Sequence, residues 1–240
     1  MEEKKVRLDK FLCERKAGTR SRVKKELKQG LVKVNGETVT EPDRKVDVEK
    51  DCVVYKGQTL RYRKYVYYML NKPAGVVSAT RDNTCPTVTD LLKDTGFTGL
   101  FPVGRLDKDT VGLLLMTNDG GLAHRLLSPG KHVDKVYEAE LEDELSEEAV
   151  KKLESGVDIG EDRLTLPAKV ELLGEKRIRL TITEGKFHQV KRMLRAVGNE
   201  VVSLRRSAMG GLVLDESLRP GEYRELSEEE IAVLQKGGMP

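Results

Sequence analysis

The chain has 240 residues, 38% hydrophobic and 35% charged, and its 43 Lys+Arg against 40 Asp+Glu leave a net charge of +3. This is the composition of a globular chain with one large domain or two modest ones, long enough to bury a core, and it excludes a disordered or disulfide-stapled chain. The longest apolar run, Val111 to Met116, falls far short of the roughly 18 residues of a membrane span. The opening MEEKKVRLDK carries charge where a signal peptide needs an apolar stretch, so a cytoplasmic protein with no membrane partner is expected. Cys13, Cys52 and Cys85 form neither a CxxC pair nor a Cys/His cluster, which signals neither a zinc site nor a disulfide framework.

The charge is concentrated at one end. Lys4 to Lys33 holds twelve Lys/Arg and three acids, a local +9 that leaves −6 for the rest. Such a block is the footprint of a polyanion-binding surface, because each cation that meets a phosphate releases condensed counterions; charge alone fits a solvated helix face equally well. Within the block, Leu8, Phe11 and Leu12 are spaced as one helix stripe, and a second helix fits Ser21 to Lys28 with Val23 and Leu27 inward, ended by Gly30. Leu31 to Val34 and Glu37 to Thr40 read as two strands around Asn35-Gly36, a pair that tolerates the positive φ values of a type I′ turn.

Two basic helices and a hairpin, with RLDKFL, the TRSR of residues 19 to 22 and GLVKVNG, make residues 6 to 58 resemble the S4 RNA-binding domain. That resemblance implies RNA contact by Arg7, Arg20, Arg22, Lys24 and Lys25, mostly to phosphates, which position without reading sequence. Five of the seven tyrosines, Tyr55, Tyr62, Tyr65, Tyr67 and Tyr68, then cluster at the expected linker (residues 57 to 64) and the next strand. Packing along a half-buried strand suits them better than base stacking. Two domains are expected, residues 1–60 and 61–240.

In the second domain, strands are expected at Val66 to Leu70, Gly112 to Thr117, Val136 to Leu141, Ile178 to Thr183 and Val201 to Leu204. Helices are expected at Thr87 to Leu92, Gly121 to Leu127, Glu147 to Leu153, Phe187 to Val197 and Glu228 to Gln235, the last opened by a Ser227/Glu230 capping box. Without regular βαβ alternation, the fold class is α+β: a small S4-like domain, then a largely antiparallel mixed sheet flanked by helices.

The densest punctuation lies at Phe101 to Gly112, where a Gly-bounded charged loop precedes a buried strand, a usual place for chemistry. Asp107 is the candidate, though most loop aspartates are turn caps. Asp107-x-Asp109-x-Val111 fits a short aspartyl-phosphatase signature with Asp158 and Asp162 as further metal ligands, but Gly104-Arg-Leu is no buried strand and such short matches are frequent. GRLDKDTVGLLLMTNDG at 104 to 120, with NKPAG at 71 to 75 and EGKFHQVKRM at 184 to 193, resembles the pseudouridine synthases that act on ribosomal RNA. The HQVKRM form and LPAKV at 166 to 170 are most similar to the small-subunit (RsuA-type, 16S rRNA) branch.

The resemblance implies an isomerase that needs no cofactor and no metal and acts on 16S ribosomal RNA, naked or within a partly assembled small subunit; a monomer is the default expectation. Its alternatives are a large-subunit (23S) enzyme and a noncatalytic ribosome-assembly protein. It assigns catalysis to Asp107, Tyr137 and Arg192. The Arg192 guanidinium is expected to pair with the acid, hold it ionised and orient it; the Tyr137 ring would stack on uracil and its hydroxyl move a proton. Leu194 is expected in the pocket wall. Arg105, His188 and Lys191 are assigned to RNA, with Arg105 holding the displaced strand; a loop salt bridge for Arg105 and a satisfied backbone group for His188 or His124 are the simpler alternatives. Lys72 reads as structural.

Overall fold

The computed structural model describes residues 5–15, 18–48, 50–60 and 64–236. The junction expected at residues 60 and 61 runs into residues outside that set, where Lys4, Lys16 and Tyr62 also lie. Two compact units emerge, Met1–Val66 with Lys93–Leu100, and Tyr67–Leu92 with Phe101–Pro240. Among the described residues no helix is long and apolar enough to cross a membrane.

In the first unit β1 (Lys5–Arg7) leads into α1 (Leu8–Glu14) and α2 (Arg20–Lys28), followed by β2 (Val32–Val34), β3 (Glu37–Thr38), β4 (Lys45–Asp47), β5 (Val53–Tyr55) and β6 (Gln58–Leu60). β1 pairs with β4, and the other strands form a sheet in the order β3-β2-β5-β6. The helix stripes and alternate strand residues meet in one core: Leu8, Phe11, Leu12, Val23, Leu27, Val32, Val34 and Val53 are all buried. Asn35 and Gly36 both take positive φ, 53° and 86°, as a type I′ hairpin requires. The Asn35 side chain also donates to Asp51 and accepts from the Cys52 amide, both at 2.8 Å.

Arg7, Arg20, Arg22, Lys24 and Lys25 are all exposed. Two of them are oriented by acids: Arg7 bonds Asp9 at 2.8 and 3.1 Å, and Arg22 bonds Glu26 at 3.1 Å. Glu26 is nearly buried and also accepts from Lys56 Nζ at 2.8 Å and from the Tyr55 hydroxyl. The Lys56 and Tyr55 bonds, with that of Arg22, hold its carboxyl down to about 2. This fixed anion ties α2 to the end of β5 and the turn that follows it, and anchors one cation of the basic surface.

The second unit is built on a nine-stranded mixed sheet. Its strands are β7 (Tyr67–Lys72), β8 (Phe101–Pro102), β9 (Val111–Thr117), β10 (Lys135–Leu141), β11 (Lys169–Gly174), β12 (Arg177–Ile182), β13 (Val201–Met209), β14 (Leu212–Val213) and β15 (Tyr223–Glu225). They run in the order β11-β12-β10-β13-β9-β7-β15, with β8 on β9 and β14 on β13. The β9–β13 pair is parallel and the other ladders are antiparallel. β7 is buried along its whole length and β9 almost so, which is why both read as continuous apolar runs. On one face Met69, Leu113 and Leu115 pack with Leu122 and Leu126 of α3 (Gly120–Leu127) and Leu234.

The remaining helices are α4 (Glu147–Ser155), α5 (Gln189–Ala196) and α6 (Glu228–Gln235). The α6 capping box is formed on both sides. Two expectations need correction. Thr87 does not open a helix: its amide and hydroxyl both donate to Asp90 at 2.8 Å, and a short 3-10 turn follows at Asp90–Thr95. β13 runs five residues beyond Leu204, because Arg206 is buried within the strand.

Candidate active site

Asp107 lies on the loop between β8 and β9, and that loop is pinned from below. Lys72, the last residue of β7, is fully buried, and its ammonium donates to the carbonyls of Pro73, Asp107, Lys108 and Thr110 at 2.8 to 3.3 Å. Burial pushes this ammonium down to about 8, against the pull of Asp109 and Asp107. The Gly75 amide donates to Lys108 O at 2.8 Å, and Ser78 Oγ both donates to Leu106 O at 2.8 Å and accepts from Leu106 N at 3.0 Å. NKPAG and GRLDKDT are therefore one buttressed unit.

Above that base the carboxylate is partly exposed, with Lys191 Nζ 3.3 Å from Oδ2 and His188 Nε2 3.4 Å from Oδ1. Lys191 also reaches Asp109 at 2.6 Å, and that bond holds the Asp109 carboxyl below its usual range. His188 caps α5 in the left-handed conformation, φ 47° and ψ 36°, which swings its ring toward the acid rather than onto the helix.

Arg192 does not pair with Asp107. Its Nη1 bonds Glu161 at 2.8 Å and Phe187 O at 3.0 Å, and its Nη2 bonds Ile159 O. The reason is angular. Successive residues turn about 100° around a helix, and the buried face of α5 is made by Gln189, Val190, Met193 and Leu194. Lys191 flanks that face beyond Leu194, and Arg192 flanks it on the other side, beyond Gln189. The helix expected from Phe187 to Val197 is shorter than that: α5 starts at Gln189, and Phe187, outside it, is 73% exposed. Arg195 pairs with Glu200 at 2.7 Å, and Leu194 is fully buried.

Tyr137 is buried on β10. The register sets it opposite Arg206, Arg206 opposite Gly112, and Gly112 opposite Lys72. Tyr137 thus shares one crosswise row of the sheet with two buried cations and with Gly112, on the strand that follows the acid. Arg206 Nε donates to Leu113 O at 2.8 Å. Arg105 is exposed beside the acid, as are His124 and His132 elsewhere. The sequence reading missed the Lys191 contact with Asp107, the loop grip of Lys72 and the buried Arg206; only Lys72, as a lone cation opening the NKPAG turn at the end of an apolar strand, carried a signal.

A family model described as RNA pseudouridylate synthase matches residues 66–196, and an S4 domain model matches residues 6–52. The chain belongs to the RNA pseudouridylate synthase family. Within that family, the uncharacterized RNA pseudouridine synthase YtzG of Bacillus subtilis is 50% identical over 235 residues, 95% of this chain and 98% of that one. The ribosomal small subunit pseudouridine synthase A of Escherichia coli is 43% identical over 229 residues, 95% and 99% of the two chains. A crystal structure of a pseudouridylate synthase matches with a TM-score of 0.68 at 41% identity, over 95% and 99%. This family member is an isomerase with an S4 domain ahead of its synthase domain.

The phosphatase reading has no support in this geometry. The Lys191 ammonium sits between Asp107 and Asp109, where that reading needs a metal ion. Asp158 caps a local turn at Gly160 N, 2.7 Å away, and Asp162 lines an open cleft of about 380 Å³ with Glu161, Arg163 and Lys186. Among the described residues no group of three or more His, Cys, Asp or Glu is placed to hold a metal.

Proposed function

We propose that this enzyme converts a uridine of 16S ribosomal RNA to pseudouridine with the Asp107 carboxylate, on a nucleotide turned out of its stack. One observation carries the reading: a partly exposed carboxylate is flanked by an ammonium and an imidazole, on a loop pinned by a buried lysine. The reaction breaks the bond from ribose C1′ to N1 and joins C1′ to C5 of the same uracil; C5 loses a proton and N1 gains one. Atoms and electrons balance without a cofactor. What it requires is an ionised carboxylate in place to assist at C1′ or to attack the ring, and a pocket that retains the detached base.

Lys191 supplies the cation that the sequence reading assigned to Arg192. At 3.3 Å it limits the orientation of the Asp107 carboxylate. Tyr137 takes the stacking role, its phenol available for proton transfer. Turning the uridine out costs roughly a few kcal/mol, met by contacts along the RNA, including the exposed cations of the S4 domain and Arg105. The choice of 16S RNA rests on the name of the Escherichia coli relative and its 43% identity across 95% of this chain.

The test is incubation with 16S and 23S transcripts, and with assembling small-subunit particles, followed by labelling specific for pseudouridine and mapping of primer-extension stops. A new site in 16S RNA is expected. A site confined to 23S RNA would overturn the substrate assignment.

A further inference from the structure

Phe187 is the most exposed large apolar side chain among the described residues. It is 73% exposed, more than Leu164, Leu172, Val202 or Val213, yet the chain around it is held firmly. Arg192 grips its carbonyl at 3.0 Å while paired to Glu161, and the Lys186 amide donates to the Gln189 side chain at 2.9 Å. Gln189 is in turn bonded to Glu184 at 2.7 Å. The Phe187 ring lies flat on the imidazole of His188, centroids 3.8 Å apart and planes at 18°, and that imidazole touches Asp107. His188 takes a left-handed backbone, an uncommon conformation for a residue with a Cβ.

Core packing accounts for none of this, because so exposed a ring buries little surface. The arrangement instead presents a rigid aromatic face, one ring away from the acid, at the mouth of the site. We propose that Phe187 is a stacking platform for an RNA base adjacent to the target uridine, presented by His188 and fixed by Arg192. The inference rests on the proposed isomerisation of an RNA uridine and adds a subsite to it. A flat apolar face accepts any base, so Phe187 holds the strand after the target has left its stack, while cations contact the backbone.

The chain has no tryptophan, so Phe187→Trp introduces a single reporter at the platform. With the full-length protein and a 16S ribosomal RNA transcript, the fluorescence of Phe187→Trp is expected to be quenched and shielded from acrylamide when RNA binds. In parallel, Phe187→Ala should lower kcat/KM by about tenfold to a hundredfold, the span that loss of one base stack carries. Phe187→Tyr should retain activity and Phe187→Leu should not, since apolar bulk alone provides no ring face. Quenching without pseudouridine formation in any transcript would keep the platform and remove the isomerisation reading. An unquenched tryptophan in a formed RNA complex, or a fully active Phe187→Leu, would overturn the platform.

Discussion

Lys191 and Arg192 are neighbours in one motif, and the fold sends them to opposite flanks of α5. Lys191 meets Asp107 and Asp109, while Arg192 meets Glu161, Phe187 O and Ile159 O. If the cation at Asp107 matters for turnover, Lys191→Met should lower kcat by about a hundredfold, in the range for removing one preorganised electrostatic contact, and Lys191→Arg should restore part of it. Arg192→Met should instead loosen the Phe187 turn and raise KM with a smaller effect on kcat. Single-turnover kinetics separate the two; equal losses in kcat from both variants would contradict the division. The motif itself was legible in the sequence, but which cation serves Asp107 was not. The resemblance pointed to a basic residue of the motif, and only the placement of the buried face of α5, with Gln189, Val190, Met193 and Leu194 inward, decides which of the two adjacent cations faces the acid.

At the scale of elements, the active loop depends on β7 through Lys72. A buried carbonyl that loses its donor costs roughly 1–3 kcal/mol, so Lys72→Met, which strips four carbonyls of one shared donor, should destabilise the protein by at least that amount in urea unfolding. The pH dependence has a definite sign. The folded-state value of Lys72 is about 8 against an ordinary 10.5, so between these values the unfolded chain binds more protons than the fold. The stability of wild type relative to Lys72→Met should therefore rise from pH 8 to 10.5; a flat difference would show that the ammonium titrates normally.

Gly112 illustrates the same dependence on neighbours. A Cβ at this position would lie 2.3 Å from Arg206 O, on a backbone with φ of 101°, so β9 can approach β13 there only as glycine. Local devices were readable in the sequence: the Asn35-Gly36 hairpin and the Ser227/Glu230 box involve residues close in the chain. The length of β13 and the turn at Thr87 were not, because the first depends on burying Arg206 between strands distant in sequence, and the second on Asp90 capturing Thr87 rather than extending a helix.

Over the whole molecule, the division into a basic S4 domain and a larger, nearly neutral synthase domain was legible because charge, hairpin and motif order all change along the chain. The basic surface predicts a salt dependence. Reversing Arg20, Arg22 and Lys25 together should weaken RNA binding and flatten the slope of log affinity against log salt by roughly two to three, about 0.7–0.9 per lost phosphate contact; an unchanged slope would mean that this surface does not meet the RNA. The central claim is narrower, that Asp107 carries the isomerisation and not the binding. The most direct measurement compares wild type with Asp107→Asn on one 16S transcript, scoring pseudouridine by chemical labelling and affinity by filter binding. The account predicts no detectable pseudouridine from Asp107→Asn at nearly unchanged affinity; pseudouridine formed at the wild-type rate would contradict it.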